Sequence, residues 1–442
     1  MKRITLLSSV FCLLSSVALA GVADNASQQK VNGIDVIALK TGVKDVVTIK
    51  GTIPAGDARS PETNVALADL TAGMLDKGTT TRDKFAISKA LGDVGATISF
   101  STNASALNIN AKCLRADLPM VLALIAEQLR SPAFSPEEFA KLKKQVAGNL
   151  TRAMEDPDFR ANASFTRAVY PLGHPNREAP TDEFLAAVTK TTLDEVKAFH
   201  KEFYGPAAMH LVVVGDVEPA AVAAELGKVF NGWTGGSAAP RPARAGRMDA
   251  AREQDVQMAD KTSVSILWGQ ATQLRYGEPD ALAIRLGTAA LGSGFTGRLM
   301  ANVRDKEGLT YGIASYVSND TYVDGDFRIQ AYFAPSLLGK GIESTKRQLV
   351  AWHRDGLTAA ELAHVKGDFV GSYKLGMATS GGMATTILNT VNRDLPLTFI
   401  DEFGTKINSF TLDQVNGAIK KHLNPEQMVL VKAGTIPGGV TK

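Results

Sequence analysis

TLDEVKAFHKEFYGPAAMHLVVVG, residues 192–215, recurs as TLDQVNGAIKKHLNPEQMVLVKAG, residues 411–434. The two stretches align without gaps at an offset of 219, and 10 of 24 positions are identical. Each reads as an amphipathic helix, a Pro-containing turn and an apolar strand that ends in Gly. A second echo, SPEEFAKLK from Ser135 and TAAELAHVK from Thr358, lies at an offset of 223. Both members open on a hydroxyl with Glu three residues later, the pattern of a helix capping box. Two echoes at nearly one offset mean that the chain is a duplication, with each copy about 210 residues long.

The join falls in GGSAAPRPARAG, residues 235–246, where Gly, Pro and Arg replace hydrophobic periodicity and a linker is expected. The halves are then 21–234 and 247–442. In the first, residues 34–39, 46–53, 97–101 and 107–111 read as strands. Leu118, Val121, Leu122, Ile125 and Leu129 form one helical stripe behind Asp117 as N-cap. In the second, 263–268 and 327–333 alternate, with Phe327, Ile329, Ala331 and Phe333 pointing inward. Strands and helices in blocks predict an α+β fold of two related α/β-sandwich domains rather than a doubly wound sheet.

Composition narrows the function. With 45% apolar and 21% charged residues in 442, the chain can bury sizeable cores. Its 48 basic and 45 acidic side chains, a net charge of +3, exclude nucleic-acid binding by bulk charge. Lys2 and Arg3 precede an apolar run over 4–18 that ends in Ala18-Leu19-Ala20, so a secretory leader cleaved after Ala20 is expected. The run is too short to span a membrane, and no later stretch is long enough. Cys12 follows Phe11, a poor context for lipid attachment, so the product is expected to be periplasmic or secreted, with Cys113 as its single thiol.

The six histidines, His174, His200, His210, His353, His364 and His422, form no metal-binding pair at helical spacing. There is no G-x-S-x-G and no phosphate-binding loop motif. Gly292, Gly294 and Gly297 are spaced as in G-x-G-x-x-G, but they lie between two helical periods and read as a turn. From the residues alone the chain is an exported, duplicated α+β protein without visible chemistry.

The ordered landmarks resemble the pitrilysin/insulinase/mitochondrial-processing-peptidase family, over essentially the whole mature chain. They are Lys77-Gly78-Thr79, Gly95-Ala96, Asp156-Pro157, Gly173-His174-Pro175, Met209 through Asp216, Leu291-Gly292 through Arg298-Leu299, and Arg304 through Tyr311. The resemblance implies the two-domain, LuxS/processing-peptidase-like half of a clamshell. Active relatives carry H-x-x-E-H on a helix and a further Glu about 76 residues on, which hold Zn²⁺ and activate water. The matching positions here are Asp69, Ala72, Gly73 and Asn149, so both histidines, the general base and the distant carboxylate are absent together. The helix is expected to persist, from Ser60-Pro61 to Gly78, and Asn149 to share an inward stripe with Phe139, Leu142, Val146 and Ala153.

The resemblance also implies that Arg304 and Tyr311, seven residues apart, contact the substrate backbone near the scissile bond. Arg304 is expected in the last turn of a helix opened by Thr296, Gly308 at its C′ position and Tyr311 at the start of a strand. Of the strand that pairs with substrate in active relatives, only Thr102 in Ser99-Phe-Ser-Thr102 matches. The 292–297 loop stands where non-catalytic subunits have a longer glycine-rich substrate loop. Together the resemblance and its missing ligands imply a zinc-free subunit of an exported heterodimeric peptidase. Such a subunit has no cofactor of its own and pairs with a zinc-bearing homologous subunit around a peptide or unfolded-protein substrate. The alternative is a non-enzymatic peptide-binding scaffold on the same fold.

Overall fold

A computed structural model describes residues 21–238 and 251–438. The expected leader, 1–20, and positions 239–246 of the linker lie outside them. Six strands form the first sheet: β1 (Ala26–Val31), β2 (Ile34–Lys40), β3 (Val46–Ile53), β4 (Thr97–Thr102), β5 (Leu107–Leu114) and β6 (His210–Gly215). Five form the second: β7 (Arg252–Gln257), β8 (Val264–Ala271), β9 (Thr310–Ser318), β10 (Asp326–Phe333) and β11 (Val429–Gly434).

The orders are β1-β2-β6-β3-β5-β4 and β7-β11-β8-β10-β9. Without the edge strand β1 they are one topology. β2 runs parallel to β6 and β7 parallel to β11, while the remaining pairs are antiparallel. The repeated segments occupy equivalent places. Thr192 and Thr411 each close a full capping box, with Glu195 and Gln414, before β6 and β11. Both strands end in a left-handed glycine, Gly215 at φ 150° and Gly434 at φ 141°. A Cβ there would lie 2.1 Å from the Val46 carbonyl oxygen or 2.7 Å from that of Ser263, so only glycine fits.

The second echo is less uniform. Thr358 makes the full box with Glu361, whereas Ser135 only accepts the Glu138 N–H. The Glu138 carboxylate bonds Lys84 and Lys141 instead. Asp117 stands at the N-cap of the Leu118–Arg130 helix, but its side chain caps nothing, because a short 3₁₀ turn from Arg115 leads into the helix.

Each sheet packs one face on helices of its own half. In the first, Val47, Ile49, Ile109 and Ala111 meet Leu122, Ile125 and Leu129. In the second, Phe327, Ile329, Ala331 and Phe333 are fully buried with Trp352 and Leu286, as their alternation predicts. The opposite faces are covered crosswise. The Pro157–Val169 helix of the first half lays Ala161, Phe165 and Val169 on Leu267, Val429 and Val431 of the second sheet. In return the Ser380–Asn392 helix lays Ala384, Ile387 and Leu388 on Ile37, Val212 and Val214 of the first. The two helices are repeat equivalents, starting 223 residues apart.

Polar contacts lock this exchange. Tyr170 Oη donates to Asp326 Oδ2 at 2.7 Å, and Arg328 chelates the same carboxylate at 2.5 and 2.8 Å. His174 is buried and stacked 4.3 Å from Tyr170. The Asn176 N–H donates to its Nδ1, so the ring proton sits on Nε2, 3.1 Å from Asp324 Oδ1. His210 Nδ1 meets Asn392 Oδ1 at 3.0 Å on the other crossing. Both histidines thus hold the halves together. Phe165 is fully buried between them, with the Arg328 guanidinium 4.8 Å from its ring. Phe165→Ala is expected to cost about 3–5 kcal/mol, read by urea unfolding as one cooperative transition. A loss under about 1 kcal/mol would show that the crossed helix carries little of the stability.

Candidate functional site

Asp69, Ala72, Gly73 and Asn149, the positions that the resemblance implies for a zinc site, do not form a ligand set. The regular helix spans Leu67–Ala72 and continues to Lys77 only as tighter turns. It does not start at Ser60-Pro61, although the Ser60 hydroxyl accepts the Ala68 N–H at 3.0 Å and so anchors its first turn. Ala72 is buried in the core. At Gly73 a Cβ would meet the Leu142 methyls at 2.9 and 3.0 Å, so an aliphatic side chain fills the place beside it. Asn149 does not follow Phe139 and Leu142 inward. It is exposed, and its Oδ1 accepts from Arg152 one turn on. The long Pro136–Ala153 helix runs beyond the core it packs on, so a stripe that begins buried ends in solvent.

Asp69 alone is engaged. Thr102, at the end of edge strand β4, donates its hydroxyl to Asp69 Oδ1. Asp57 lies in the same electrostatic neighbourhood, with Oδ1 sealed from solvent and unpartnered. Burial, then the Asp69 charge, then Glu178 push the Asp57 carboxyl up to about 8. Burial also raises Asp69, against the Thr102 hydrogen bond. Tyr204, its hydroxyl buried without a partner, is raised by burial and by Asp69. Asp57, Asp69, Tyr204 and Thr102 are gathered here. No group of three or more His, Cys, Asp or Glu among the described residues is placed to hold a metal. A buried carboxyl raised by burial and an exposed neutral amide elsewhere do not fit Zn²⁺.

The second half presents a different arrangement. Arg304 lies in a helix that starts at Arg298 and is π-wound over Met300–Lys306, not in one opened by Thr296. Gly308 takes the C′ place at φ 63°, its N–H bonding the Arg304 carbonyl at 2.9 Å. The chain then turns back into β9, which puts the Tyr311 ring 5.4 Å from the Arg304 guanidinium. The Phe295 ring lies 5.5 Å from the same guanidinium. Both aromatics are exposed, Tyr311 by 89% and Phe295 by 74%, far above what a packing role needs. The nearest acid, Asp305, is 4.0 Å away and exposed, so the cation is only weakly neutralised.

No sequence pattern marks Phe295, although it sits inside the glycine turn whose spacing is legible. Gly292 and Gly297 close that turn, since a Cβ on either would meet backbone within 3 Å, and Gly294 supplies φ 63°. Thr296 pins the turn to the Ala359–Gly376 helix through His364 Nε2 at 2.9 Å. Arg298 pins it further by chelating Glu361 at 2.6 and 2.7 Å, which holds that carboxyl down at about 2.

The Asp57–Asp69 pair has a pH consequence. A carboxyl whose folded pKa exceeds its unfolded value contributes stability that is full below the unfolded pKa and is lost as pH rises. For Asp57 the loss runs from about pH 4 to about 8. Asp57→Asn should flatten the fall in stability across that window, measured by urea unfolding at stepped pH. An identical slope in wild type and variant would sink the assignment.

The family model described as Insulinase (Peptidase family M16) matches residues 36–175, and that described as Peptidase M16 inactive domain matches residues 190–367. A protein of Helicobacter pylori named non-peptidase homolog YmxG is 24% identical over 429 residues, covering 95% of each chain. The crystal structure of a peptidase M16 inactive domain from Pseudomonas fluorescens has a TM-score of 0.86 at 24% identity, covering 95% of this chain and 99% of that one. The periplasmic protease PqqL from Escherichia coli has a TM-score of 0.76 at 16% identity, over 98% of this chain and 48% of its own. With two matched family models and a relative matched over nearly its whole length, the chain belongs to the M16 peptidase family as one of its inactive members.

Proposed function

We propose that this chain is the zinc-free subunit of an exported heterodimeric M16 peptidase. It supplies Arg304 and Tyr311 as substrate-binding groups, and half of a peptide chamber, to a homologous subunit that carries H-x-x-E-H and the metal. The observation that carries this reading is the Arg304 guanidinium in contact with two exposed aromatic rings, Phe295 and Tyr311. A cation so presented, with a phenol beside it, is suited to donate to the carbonyl oxygen of a peptide as negative charge develops there. Phe295 adds an apolar surface beside that point for a substrate side chain, and the 292–297 turn positions it. Lys2, Arg3, the apolar run and Ala18-Leu19-Ala20 support export, with a mature N-terminus at Gly21.

Reconstitution tests the reading. The chain alone should cleave nothing. Mixed with a zinc-bearing homologous subunit from the same source it should restore peptidase activity. In that pair Arg304→Ala should lower kcat by about 10²-fold, in the range seen when a transition-state donor is removed, with KM changing less. Tyr311→Phe should lower it in the same direction. Full activity in both variants would remove these residues from the site.

The relative named as a non-peptidase homolog favours a second reading, a peptide-binding scaffold without chemistry. Under it the chain binds unfolded peptides, Arg304→Ala and Phe295→Ala weaken binding, and no zinc-bearing subunit gains activity from the mixture.

A further inference from the structure

Asn-Gly occurs three times in the chain, at Asn32-Gly33, Asn231-Gly232 and Asn416-Gly417. In this dipeptide the glycine nitrogen can attack the preceding side-chain amide, because no Cβ shields it. The structure treats the three copies differently. Asn32 stands in the two-residue turn between β1 and β2, where Val31 pairs with Ile34, and its Nδ2 donates to the Gly227 carbonyl at 2.8 Å. Asn416 lies inside the Leu412–His422 helix, whose ladder engages the Gly417 nitrogen, and its Oδ1 accepts the Leu357 N–H at 2.8 Å. In both places the amide is held by a distant part of the chain.

Asn231-Gly232 is free by comparison. It follows the Pro219–Val229 helix in an exposed turn. Among the described residues the Asn231 side chain forms no hydrogen bond and the Gly232 N–H finds no acceptor. Gly232 takes φ 70°, and a Cβ on it would meet nothing within 4 Å. Both reacting groups are therefore unengaged and open to water. The backbone around them is fixed. The Trp233 N–H donates to the Phe230 carbonyl at 3.1 Å, and Arg130 donates to the Val229 carbonyl at 2.6 Å and to the Asn231 carbonyl at 3.1 Å.

We propose that Asn231 is a site of spontaneous modification, converted by water to an isoaspartyl residue under the direction of Arg130. The Gly232 nitrogen bonds to Asn231 Cγ, the Cγ–Nδ2 bond breaks, and ammonia leaves with the proton that the nitrogen gives up. The product is a cyclic imide that joins the old side-chain and main-chain carbonyls through the Gly232 nitrogen. Water then adds its hydroxyl to one of these carbons, the C–N bond there breaks, and the nitrogen regains a hydrogen. Opening at Cγ gives aspartate. Opening at the main-chain carbonyl gives isoaspartate, in which the chain continues through the old side chain. Arg130 already donates to that main-chain oxygen, so it polarises this carbon and pairs with the carboxylate that forms on it. The product lengthens the backbone and adds a negative charge where the first half leads into the linker. The site is separate from Arg304 and Tyr311 and does not depend on the chain acting in a peptidase.

The test incubates the mature chain at mildly alkaline pH, folded and in urea. Digestion and electron-transfer mass spectrometry of the three Asn-Gly peptides then separate asparagine, aspartate and isoaspartate. In the folded chain Asn231 should lose its amide while Asn32 and Asn416 stay intact, and in urea all three should react. The ratio of isoaspartate to aspartate at 231 should be about threefold or more higher in the folded chain than in urea, the effect of one partly exposed charged contact. Arg130→Gln should bring the folded ratio down to the urea value, with intact Asn32 and Asn416 showing that the variant is folded. An Asn231 that stays intact overturns the proposal, as does reaction of Asn32 or Asn416 at the same rate in the folded chain. So does a folded wild-type ratio equal to that in urea, or one that Arg130→Gln leaves unchanged.

Discussion

The crossed pair of helices is the constraint on which the molecule depends. A mixed sheet with helices on one face leaves the other face apolar, and in each half that face is rich in Val, Leu and Ile. Each half solves the problem by lending its own helix to the other. Neither sheet is covered without its counterpart, so the duplication is a structural requirement as well as a record of ancestry. The buried Tyr170–Asp326–Arg328 and His174–Asp324 contacts then fix the angle between the halves. Such paired, hydrogen-bonded charges add specificity to an interface whose energy comes from Phe165, Ile387 and their neighbours.

That rigid frame holds the fold of the first half by packing alone. Asp69 and Ala72 lie on a short helix ended by Gly73, whose stability comes from Leu67, Leu70 and Ala72 in the core. Leu142 fills the space beside Gly73, and Asn149 has turned to Arg152 and solvent. Beside them is a carboxyl pair, Asp57 and Asp69, both pushed up by burial, which suits a closed interior better than holding a cation. The second half kept the opposite kind of feature. The Phe295 and Tyr311 rings are exposed, Arg304 beside them is half-buried, and a π-wound helix, a left-handed glycine and a pinned turn hold the three in place.

The two echoes made much of this legible. Short runs that alternate or stay apolar located β3, β8 and β10, whose residues are buried at nearly every position because helices cover both faces of the sheets. Edge strands β1 and β7 were not legible. AlaSerGlnGlnLysVal and ArgGluGlnAspValGln expose much of their surface, so pairing with β2 and β11 holds them as strands without an apolar pattern. Asn149 shows the limit of a helical stripe, since periodicity names a face but not where along the helix the core ends. Phe295 was invisible for another reason, because an aromatic in a turn carries no periodicity.

The sequence by itself determined that the chain is duplicated and that each half is α+β, and no pair of its histidines has metal-binding spacing on a helix. These are properties of spacing and residue type. Only the tertiary structure decided that the halves exchange helices and that Arg304 lies against both Phe295 and Tyr311. The exchange joins residues far apart in the chain, and no local pattern encodes a distance that the packing of two sheets and two crossed helices sets.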